Sequence, residues 1–245
     1  MPWQVMASSV AGSSHSRHGM PCQDAFSWKE LAGGRVAVAV ADGAGSAECG
    51  RQGAEIAVQS AICTLAQEPG VAPKTSNEAL YSALGDARSA IANAAELAGL
   101  SIKSFACTCI LVISGADETV ALQVGDGAVV LDNLEGLIAL TTPPKAEYAN
   151  ETAFLTSDDW LSVAQFAHMR GETHHICALT DGLQRLALEF PACTPHVGFF
   201  RPLLTFANSR PNDGNSQLEA FLKSPRLSDR TDDDVTLVIA SAIPK

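Results

Sequence analysis

The sequence has no apolar run long enough to cross a membrane. Its longest purely apolar stretches, Val36–Ala41 and Cys109–Ile113, fall far short of the roughly 20 residues that a spanning helix needs. The amino-terminal segment also lacks a basic region followed by an apolar run, which a secretory signal peptide would require. We therefore expect a cytoplasmic protein.

Cysteine pairs at metal-binding or redox spacing are absent as well. The seven cysteines include no CxxC pair and no Cys/His cluster at zinc spacing. An odd number of cysteines in a cytoplasmic protein favours free thiols that pack as small hydrophobic residues. A disulfide framework and a zinc site are therefore not expected.

Basic residues are scarce relative to acidic ones. The chain has 16 Lys and Arg against 27 Asp and Glu, a formal net charge of −11 and a sequence pI of about 4.9. Nucleic acids and anionic lipids both require a basic surface. We therefore expect neither a nucleic-acid partner nor a membrane partner.

Several motifs of nucleotide-binding and hydrolytic proteins are also missing. The sequence contains no GxxxxGK[ST] loop and no GxSxG nucleophile elbow. The segment GAGSAECG follows a predicted strand, but its glycines at 43, 45 and 50 do not have the GxGxxG spacing. Asp42, directly before it, would also repel a pyrophosphate, so a dinucleotide site is not favoured.

The 245 residues, 47% of them hydrophobic, suffice to bury a large core. Apolar periodicity predicts strands at Trp3–Val10 and Arg35–Asp42 and helices at Ala47–Gln67 and Asn77–Ala98, the second ending at Gly99. The later strands are predicted at Phe105–Ser114, Thr119–Val124, Ala128–Asp132, Leu137–Thr141, His174–Thr180 and Val235–Ser241, with short helices near Asp158–Met169, at Leu183–Leu188 and within Gln217–Leu222. This grouping favours an α+β fold with a largely antiparallel sheet, and the lack of repeats or linkers favours one domain over residues 1–245.

Aspartates recur where predicted strands begin or end. They are Asp42 in VADGAG, Asp126 in VGDG, Asp181 in TDG, the run Asp232–Asp234, and Asp24 in CQDAF. Carboxylates that converge at a sheet edge repel one another and resist burial unless cations neutralise them. Oxygen ligands of this kind suit hard divalent ions such as Mg²⁺ and Mn²⁺.

Each aspartate taken singly also has a structural interpretation. Asp126-Gly127 is a favoured type I′ hairpin turn, and Asp181 could be the N-cap of a following helix. The run Asp232–Asp234 could be a solvated loop. Asp42 fits such interpretations less well, because it ends an uninterrupted apolar strand and leads into Gly-Ala-Gly.

Taken together and in order, these motifs resemble the protein phosphatase 2C family of metal-dependent serine/threonine phosphatases, in particular its small single-domain bacterial members. The motifs extend over nearly the whole chain: CQDAF at Cys22–Phe26, VADGAG at Val40–Gly45, FACTC at Phe105–Cys109, VGDG at Val124–Gly127, TDG at Thr180–Gly182 and DDDVTLV at Asp232–Val238. A further segment, AEYANET at Ala146–Thr152, is similar to GEYANET of bacterial members.

The resemblance implies two stacked, mainly antiparallel β-sheets flanked by helix pairs, with two divalent cations, Mn²⁺ or Mg²⁺, in a cleft at one end. Asp42 would bridge the metals and the Gly43 carbonyl would bind one, while Asp181 and Asp233 would hold the other. Asp126 would help to bind a third, weaker metal, and Asp24 would support the cluster. Residues 142–172 would form the variable flap.

The sequence departs from the family pattern at two positions. Gln23 stands where the family usually has a glutamate that contacts metal through water. Gly19 stands where the family usually has the arginine that binds the substrate phosphate. Arg17 or His18 is the candidate to replace that arginine.

The function implied is hydrolysis of phosphoserine and phosphothreonine by a water or hydroxide that the two cations share, with no protein nucleophile. The substrate would be a phosphoprotein, opposite a serine/threonine kinase, and a monomer is favoured. Two alternatives stay open: a catalytically weak or inactive domain that binds phosphoproteins as a scaffold, and a phosphoesterase for small molecules. Gln23 and the missing arginine favour the first of these, whereas the retained aspartates oppose it.

Overall fold

The computed structural model describes residues 2–67, 75–144 and 152–243. Two five-stranded antiparallel sheets form its centre. The first sheet has the order β1-β12-β9-β6-β7, with β1 at Trp3–Val10, β6 at Ala128–Asn133, β7 at Gly136–Thr141, β9 at His175–Leu179 and β12 at Val235–Ala242. The second has the order β2-β3-β4-β5-β8, with β2 at Ala25–Leu31, β3 at Arg35–Ala41, β4 at Cys109–Ser114, β5 at Glu118–Val124 and β8 at Gln165–Arg170.

Helices cover the outer faces of both sheets. On the second sheet lie α2 at Gly50–Ala66 and α3 at Ser76–Ala98. Around the first sheet and its edges lie α1 at Ser13–Arg17, α4 at Gln184–Ala187, α5 at Val197–Asn208, α6 at Gly214–Leu222 and α7 at Pro225–Ser228, together with the two-residue strands β10 at Leu188–Glu189 and β11 at Thr194–Pro195. The expected α+β fold with two stacked antiparallel sheets is therefore confirmed.

Alternation along β3 explains how the layers pack. Val36, Val38 and Val40 point to one side, where they pack against residues of the first sheet such as Ile176 and Val238. Ala37, Ala39 and Ala41 point to the other side, where they pack among the apolar residues of α2 and α3. Successive residues of a strand face opposite sides, so the large residues fill the space between the sheets and the small ones let the helices approach closely.

The ends of α3 follow from its sequence. Thr75 and Glu78 form a reciprocal capping box, which satisfies two backbone N–H groups of the first turn. Gly99 ends the helix in the left-handed conformation, with φ of 67°, as its position predicted. No helix in the described ranges is both long and apolar enough to cross a membrane.

The structure corrects the prediction for the segment after residue 142. A short helix was predicted near Asp158–Met169, but turns occupy the first half of that range and β8 occupies Gln165–Arg170, where it pairs with β5 along the sheet edge. The free edge of β5 supplies hydrogen-bond partners that outweigh the weak local preference for helix. The residues of AEYANET before Thr152 lie outside the described residues.

Several other elements were missed, of which β2 and α5 are the longest. Strand β2 pairs with β3 over its whole length, from Ala25 opposite Ala41 to Leu31 opposite Arg35. Its polar, partly exposed sequence AFSWKEL hides the alternation that would have identified it. Helix α5 was also missed, although its buried residues Phe200, Leu203, Leu204 and Ala207 have helical spacing.

Candidate active site

Five aspartates, which we call the aspartate cluster, lie at one end of the two stacked sheets. Asp42 follows β3, Asp126 lies between β5 and β6, Asp181 follows β9, Asp233 precedes β12 and Asp24 precedes β2. Asp42 is within electrostatic range of the other four. The structure therefore brings together all five aspartates that the sequence singled out.

Asp42 and Gly43 are held by backbone pairing at the end of β3. The Asp42 N–H donates to Thr108 Oγ1 at 2.9 Å, and the Thr108 N–H donates to the Asp42 carbonyl at 2.8 Å. A Cβ on Gly43 would lie 2.4 Å from the carbonyl carbon of Gly50, so only glycine fits beneath the start of α2. Gly43 and Cys107 form an isolated antiparallel bridge, but the residues on either side of them make its hydrogen bonds. The Gly43 carbonyl therefore takes no part in the backbone hydrogen bonds of this bridge.

Asp126 lies in a crossover between sheets, so the hairpin interpretation of its Asp-Gly pair is wrong. Strand β5 belongs to the second sheet and β6 to the first. Gln123 Nε2 holds the crossover by donating to the carbonyls of Gly125 and Gly127 at 3.1 and 2.7 Å. Thr152 Oγ1 donates to Asp126 Oδ2 at 3.0 Å, and the Gln184 side chain donates to the Asp126 carbonyl.

Asp24 is buried between the strand ends of the first sheet. Its Oδ2 accepts hydrogen bonds from Thr180 Oγ1 at 2.8 Å and Thr236 Oγ1 at 2.7 Å. Asp181 lies directly after Thr180 in a turn of 3-10 helix over Asp181–Leu183. The N-cap of this turn is Thr180 and no side chain caps it, so the N-cap interpretation of Asp181 is also wrong.

Asp233 and Asp234 have different environments, although they are adjacent. Asp233 is exposed, and its Oδ1 accepts a hydrogen bond from the Asp234 N–H at 2.9 Å. Asp234 is buried, and its two oxygens accept from the Gly12 N–H at 2.7 Å and the Gln23 N–H at 2.6 Å. The solvated-loop interpretation of this run is therefore wrong for Asp234, which ties the segment after β1 to the start of β12.

From the sequence, no role was predicted for two residues beside the cluster, namely His15 and Asp234, the second of which stands out only within the run Asp232–Asp234. His15 Nδ1 lies 2.9 Å from Asp234 Oδ1, close enough for an ion pair but without hydrogen-bond alignment. A Cβ on Gly45 would lie 4.0 Å from His15 Nε2 and 4.0 Å from Gln23 Oε1, so both atoms adjoin the turn after Asp42. No apolar periodicity surrounds His15 in the sequence, so no pattern indicates its position. For Asp234, the one sequence signal is that a buried strand begins directly after it, which does not hold for the neighbouring aspartates.

The predicted phosphate-binding residues Arg17 and His18 are exposed on α1. The Arg17 guanidinium donates to Ser13 Oγ at 3.0 Å, and His18 Nδ1 lies 2.8 Å from the Ser14 carbonyl oxygen. The first contact is made within α1, and the second joins the residue after α1 back to the helix. In this arrangement His15 is the residue of α1 that adjoins Gln23 and the aspartate cluster.

The cluster is electrostatically costly without cations. Burial raises the pKa of Asp42, and the charges of the other four aspartates raise it further. Burial also raises the pKa of Asp181, with Asp126 and Asp233 as the next causes. Burial raises the pKa of Asp24 as well, even though the two threonine hydroxyls stabilise its charged form.

Divalent cations fit the polar atoms present. In the described part of the chain, no three Asp, Glu, His or Cys side chains converge on one point as a ready-formed metal site. The carboxyl of Asp42 does interact electrostatically with those of Asp24 and Asp181. Asp24 Oδ1, Asp181 Oδ1 and Gln23 Oε1 are buried with no hydrogen-bond partner among the described residues. Such oxygens, together with the Gly43 carbonyl, suit hard cations that retain several coordinated waters.

A family model described as protein phosphatase 2C matches residues 11–223 of the chain. The fold, the order of the motifs and the aspartate cluster agree with this match. The chain belongs to the protein phosphatase 2C family.

Particular relatives agree with this assignment. Serine/threonine-protein phosphatase 3 of Escherichia coli (strain K12) is 38% identical over 249 residues, which cover 98% of each chain. The structure of the serine/threonine phosphatase Stp1 from Staphylococcus aureus has a TM-score of 0.72 at 14% identity, over 100% of this chain and 96% of that chain. The catalytic domain of the phosphatase PstP, in complex with two manganese ions, has a TM-score of 0.68 at 19% identity, over 99% of each chain.

Proposed function

We propose that the chain is a metal-dependent phosphatase that hydrolyses phosphoserine and phosphothreonine in proteins, with the aspartate cluster as its catalytic centre. The observation that carries this proposal is that four aspartates lie within electrostatic range of Asp42 at one end of the two sheets, and that two of the five have buried oxygens without partners. The 38% identical relative, itself named a serine/threonine-protein phosphatase, supports the same reaction.

The residue roles follow from the environments of the carboxylates. Asp42 has a central position, so we assign to it the bridging of two cations, with the Gly43 carbonyl as a ligand of one. Asp181 and Asp233 would hold the other cation, and Asp126 would contribute to a third, weaker site. Asp24 would support the cluster, because its Oδ2 already accepts hydrogen bonds from two threonine hydroxyls.

Asp234 is less available for direct metal binding than Asp233, because its own hydrogen bonds occupy both of its oxygens. Both of its oxygens accept backbone N–H groups, and His15 lies against one of them. Asp233 is exposed, and only its Oδ1 accepts a hydrogen bond, so we propose it as the ligand of the two. Gln23 would contact a cation through a water, with its buried Oε1 as the acceptor.

The bound cations would supply a water of lowered pKa and would neutralise charge on the phosphoryl oxygens. The protein contributes a rigid frame: strand ends hold Asp42 and Asp181, two threonines hold Asp24, and Asp234 holds the Gln23 backbone. Mn²⁺ or Mg²⁺ is proposed, since oxygen ligands suit both. A phosphorylated cytoplasmic protein, opposite a serine/threonine kinase, is the proposed substrate.

We expect His15 to bind the substrate phosphate in place of the family arginine. Substitution His15→Ala should lower kcat/KM by about 10- to 100-fold, the value of one hydrogen bond to a charged group. It should also weaken inhibition by inorganic phosphate, and His15→Gln should restore part of both. Steady-state kinetics with p-nitrophenyl phosphate measures these effects.

Arg17→Ala and His18→Ala are the matched controls for His15. Because both side chains bond to residues of α1, each substitution should change kcat/KM by less than about threefold. A large loss in either variant with a near-normal His15→Ala would return the phosphate-binding role to Arg17 or His18.

Divalent cations should stabilise the protein against heat. Cations at about 100 times their Kd would add about 2.7 kcal/mol, which is about 5–10 °C in Tm for a chain of this size. Differential scanning fluorimetry with Mn²⁺, Mg²⁺ or chelator measures the shift, and NaCl of equal ionic strength is the control. An equal rise in Tm with NaCl would show that general screening, and not a site, is responsible.

The test of the function is hydrolysis of a phosphothreonine peptide by the purified chain. We expect phosphate release with Mn²⁺ or Mg²⁺ and none with excess chelator. A folded wild-type protein that releases no phosphate with either metal would favour the scaffold alternative. The retained aspartates and the named phosphatase relative both oppose that alternative.

A further inference from the structure

A half-open groove of about 930 Å³ lies between α4, α5, α6 and α7 and contains none of the five clustered aspartates. Its floor is apolar. Phe199, Leu203 and Phe206 come from one face of α5, and Leu218 and Phe221 come from α6. The three phenylalanines are only partly buried, and the rings of Phe199 and Phe221 lie 6.3 Å apart between centroids.

Three exposed arginines stand around this floor. Arg185 lies on α4, Arg226 lies on α7 and Arg230 follows α7, so they belong to two different walls of the groove. None of the three guanidinium groups makes an ion pair or a hydrogen bond with any other residue that the structure describes. Among the described lining residues the one carboxylate is Glu189. An unneutralised basic groove is unexpected in a chain with a net charge of −11.

We propose that this groove binds an acidic amphipathic helix of a partner protein. The apolar face of the helix would lie on the phenylalanines, and carboxylates along its flanks would pair with Arg185, Arg226 and Arg230. A groove with an apolar floor between helices is the geometry into which the apolar face of an amphipathic helix packs. Aromatic side chains and arginines are also the residue types that contribute most to protein interfaces.

Charge and spacing select this occupant over others. A small ligand with one carboxylate could pair with only one guanidinium. Arginines on two different walls call for a larger ligand that carries several carboxylates. A nucleic acid would bring phosphates to the arginines, but it would leave the phenylalanine floor without an apolar partner and would be repelled by the rest of the chain.

The groove adjoins the aspartate cluster through α4. Gln184 donates to the Asp126 carbonyl, while the next two residues, Arg185 and Leu186, line the groove. A protein docked there would therefore have its remaining surface beside the carboxylates. The binding itself does not depend on hydrolysis, so its test is separate from that of the proposed function.

The test is fluorescence anisotropy with the whole chain and three labelled peptides of about 15 residues, a length at which helices begin to form. The first has leucines on one helical face and glutamates elsewhere. The second has lysines in place of the glutamates. The third has the composition of the first with its leucines distributed around the helix. Low salt is used, since screening weakens exposed ion pairs.

We expect saturable binding of the first peptide and at least about tenfold weaker binding of the other two. The double variant Arg226→Glu/Arg230→Glu should also lose about tenfold or more for the first peptide. Lys29→Glu/Lys103→Glu changes the net charge equally at exposed residues outside the groove, so it should bind within about twofold of wild type. Thermal melting confirms that both variants are folded.

Four results would overturn the proposal. They are no saturable binding of the first peptide, equal binding of all three peptides, equal losses in the two double variants, and dimerisation of the chain that Arg226→Glu/Arg230→Glu abolishes. The last result, seen by light scattering of the free protein, would assign the groove to a second copy of this chain.

Discussion

Replacing Asp42 with alanine should abolish phosphatase activity while leaving the protein folded. Asp42 is the carboxylate that interacts with all other members of the aspartate cluster, so its loss removes the group proposed to join the two cations. We expect the rate of p-nitrophenyl phosphate hydrolysis to fall by at least about 10³-fold, since charge stabilisation at the reacting phosphoryl group is the largest contribution that such a site makes.

Thermal melting without metal separates this effect from unfolding. Burial and repulsion disfavour a charged Asp42, so the variant should melt at or above the temperature of the metal-free wild type. Asp117→Ala, at an exposed turn between β4 and β5, is the matched control and should keep full activity. A folded Asp42→Ala protein with more than a tenth of the wild-type rate would contradict the central position of this residue.

The adjacent residues Asp233 and Asp234 should respond in opposite ways to alanine substitution. Asp234→Ala should destabilise the protein by about 2–4 kcal/mol, because the buried N–H groups of Gly12 and Gln23 lose a charged acceptor. For a chain of this length that loss corresponds to a decrease in Tm of about 5–15 °C. Asp233→Ala should change Tm by little and remove most of the activity.

Asp232→Ala completes this comparison. Asp232 is exposed, and it contacts Ser14 through its backbone carbonyl, which accepts from the Ser14 N–H and hydroxyl. We expect near-normal melting and activity for this variant, measured in the same two assays. An inactive but thermally stable Asp234→Ala protein, beside an active Asp233→Ala protein, would reverse the assignment of ligand and structural residue.

The strand pattern and the aspartate positions could be predicted because both are encoded locally. Alternation of valine and alanine in β3 marks two different buried faces, and the structure places them against the other sheet and against the helices. Asp42 follows a buried strand directly and Asp181 follows one after a single residue, so the fixed direction of each strand positions the carboxylate. Ordered motifs along the whole chain then predicted the family, which the match over residues 11–223 confirms.

Other features depend on contacts between distant segments and could not be predicted this way. Strand β8 forms because β5 presents a free edge, which no pattern within Gln165–Arg170 indicates. The burial of Asp234 depends on Gly12, where a Cβ would lie 2.3 Å from backbone atoms of Asp233. His15 reaches the cluster through the same packing. Single residues beside a site are thus harder to predict than the strands that carry it.

Counting the bound Mn²⁺ ions is the most direct test of the central claim, that the aspartate cluster holds a pair of divalent cations through Asp42. Isothermal titration of the metal-free wild-type protein and of Asp42→Ala gives the stoichiometry of each. We predict two ions per wild-type chain, with a weaker third only at high concentration, and the loss of at least one of the two in the variant. Unchanged stoichiometry and affinity in a folded Asp42→Ala protein would contradict the account.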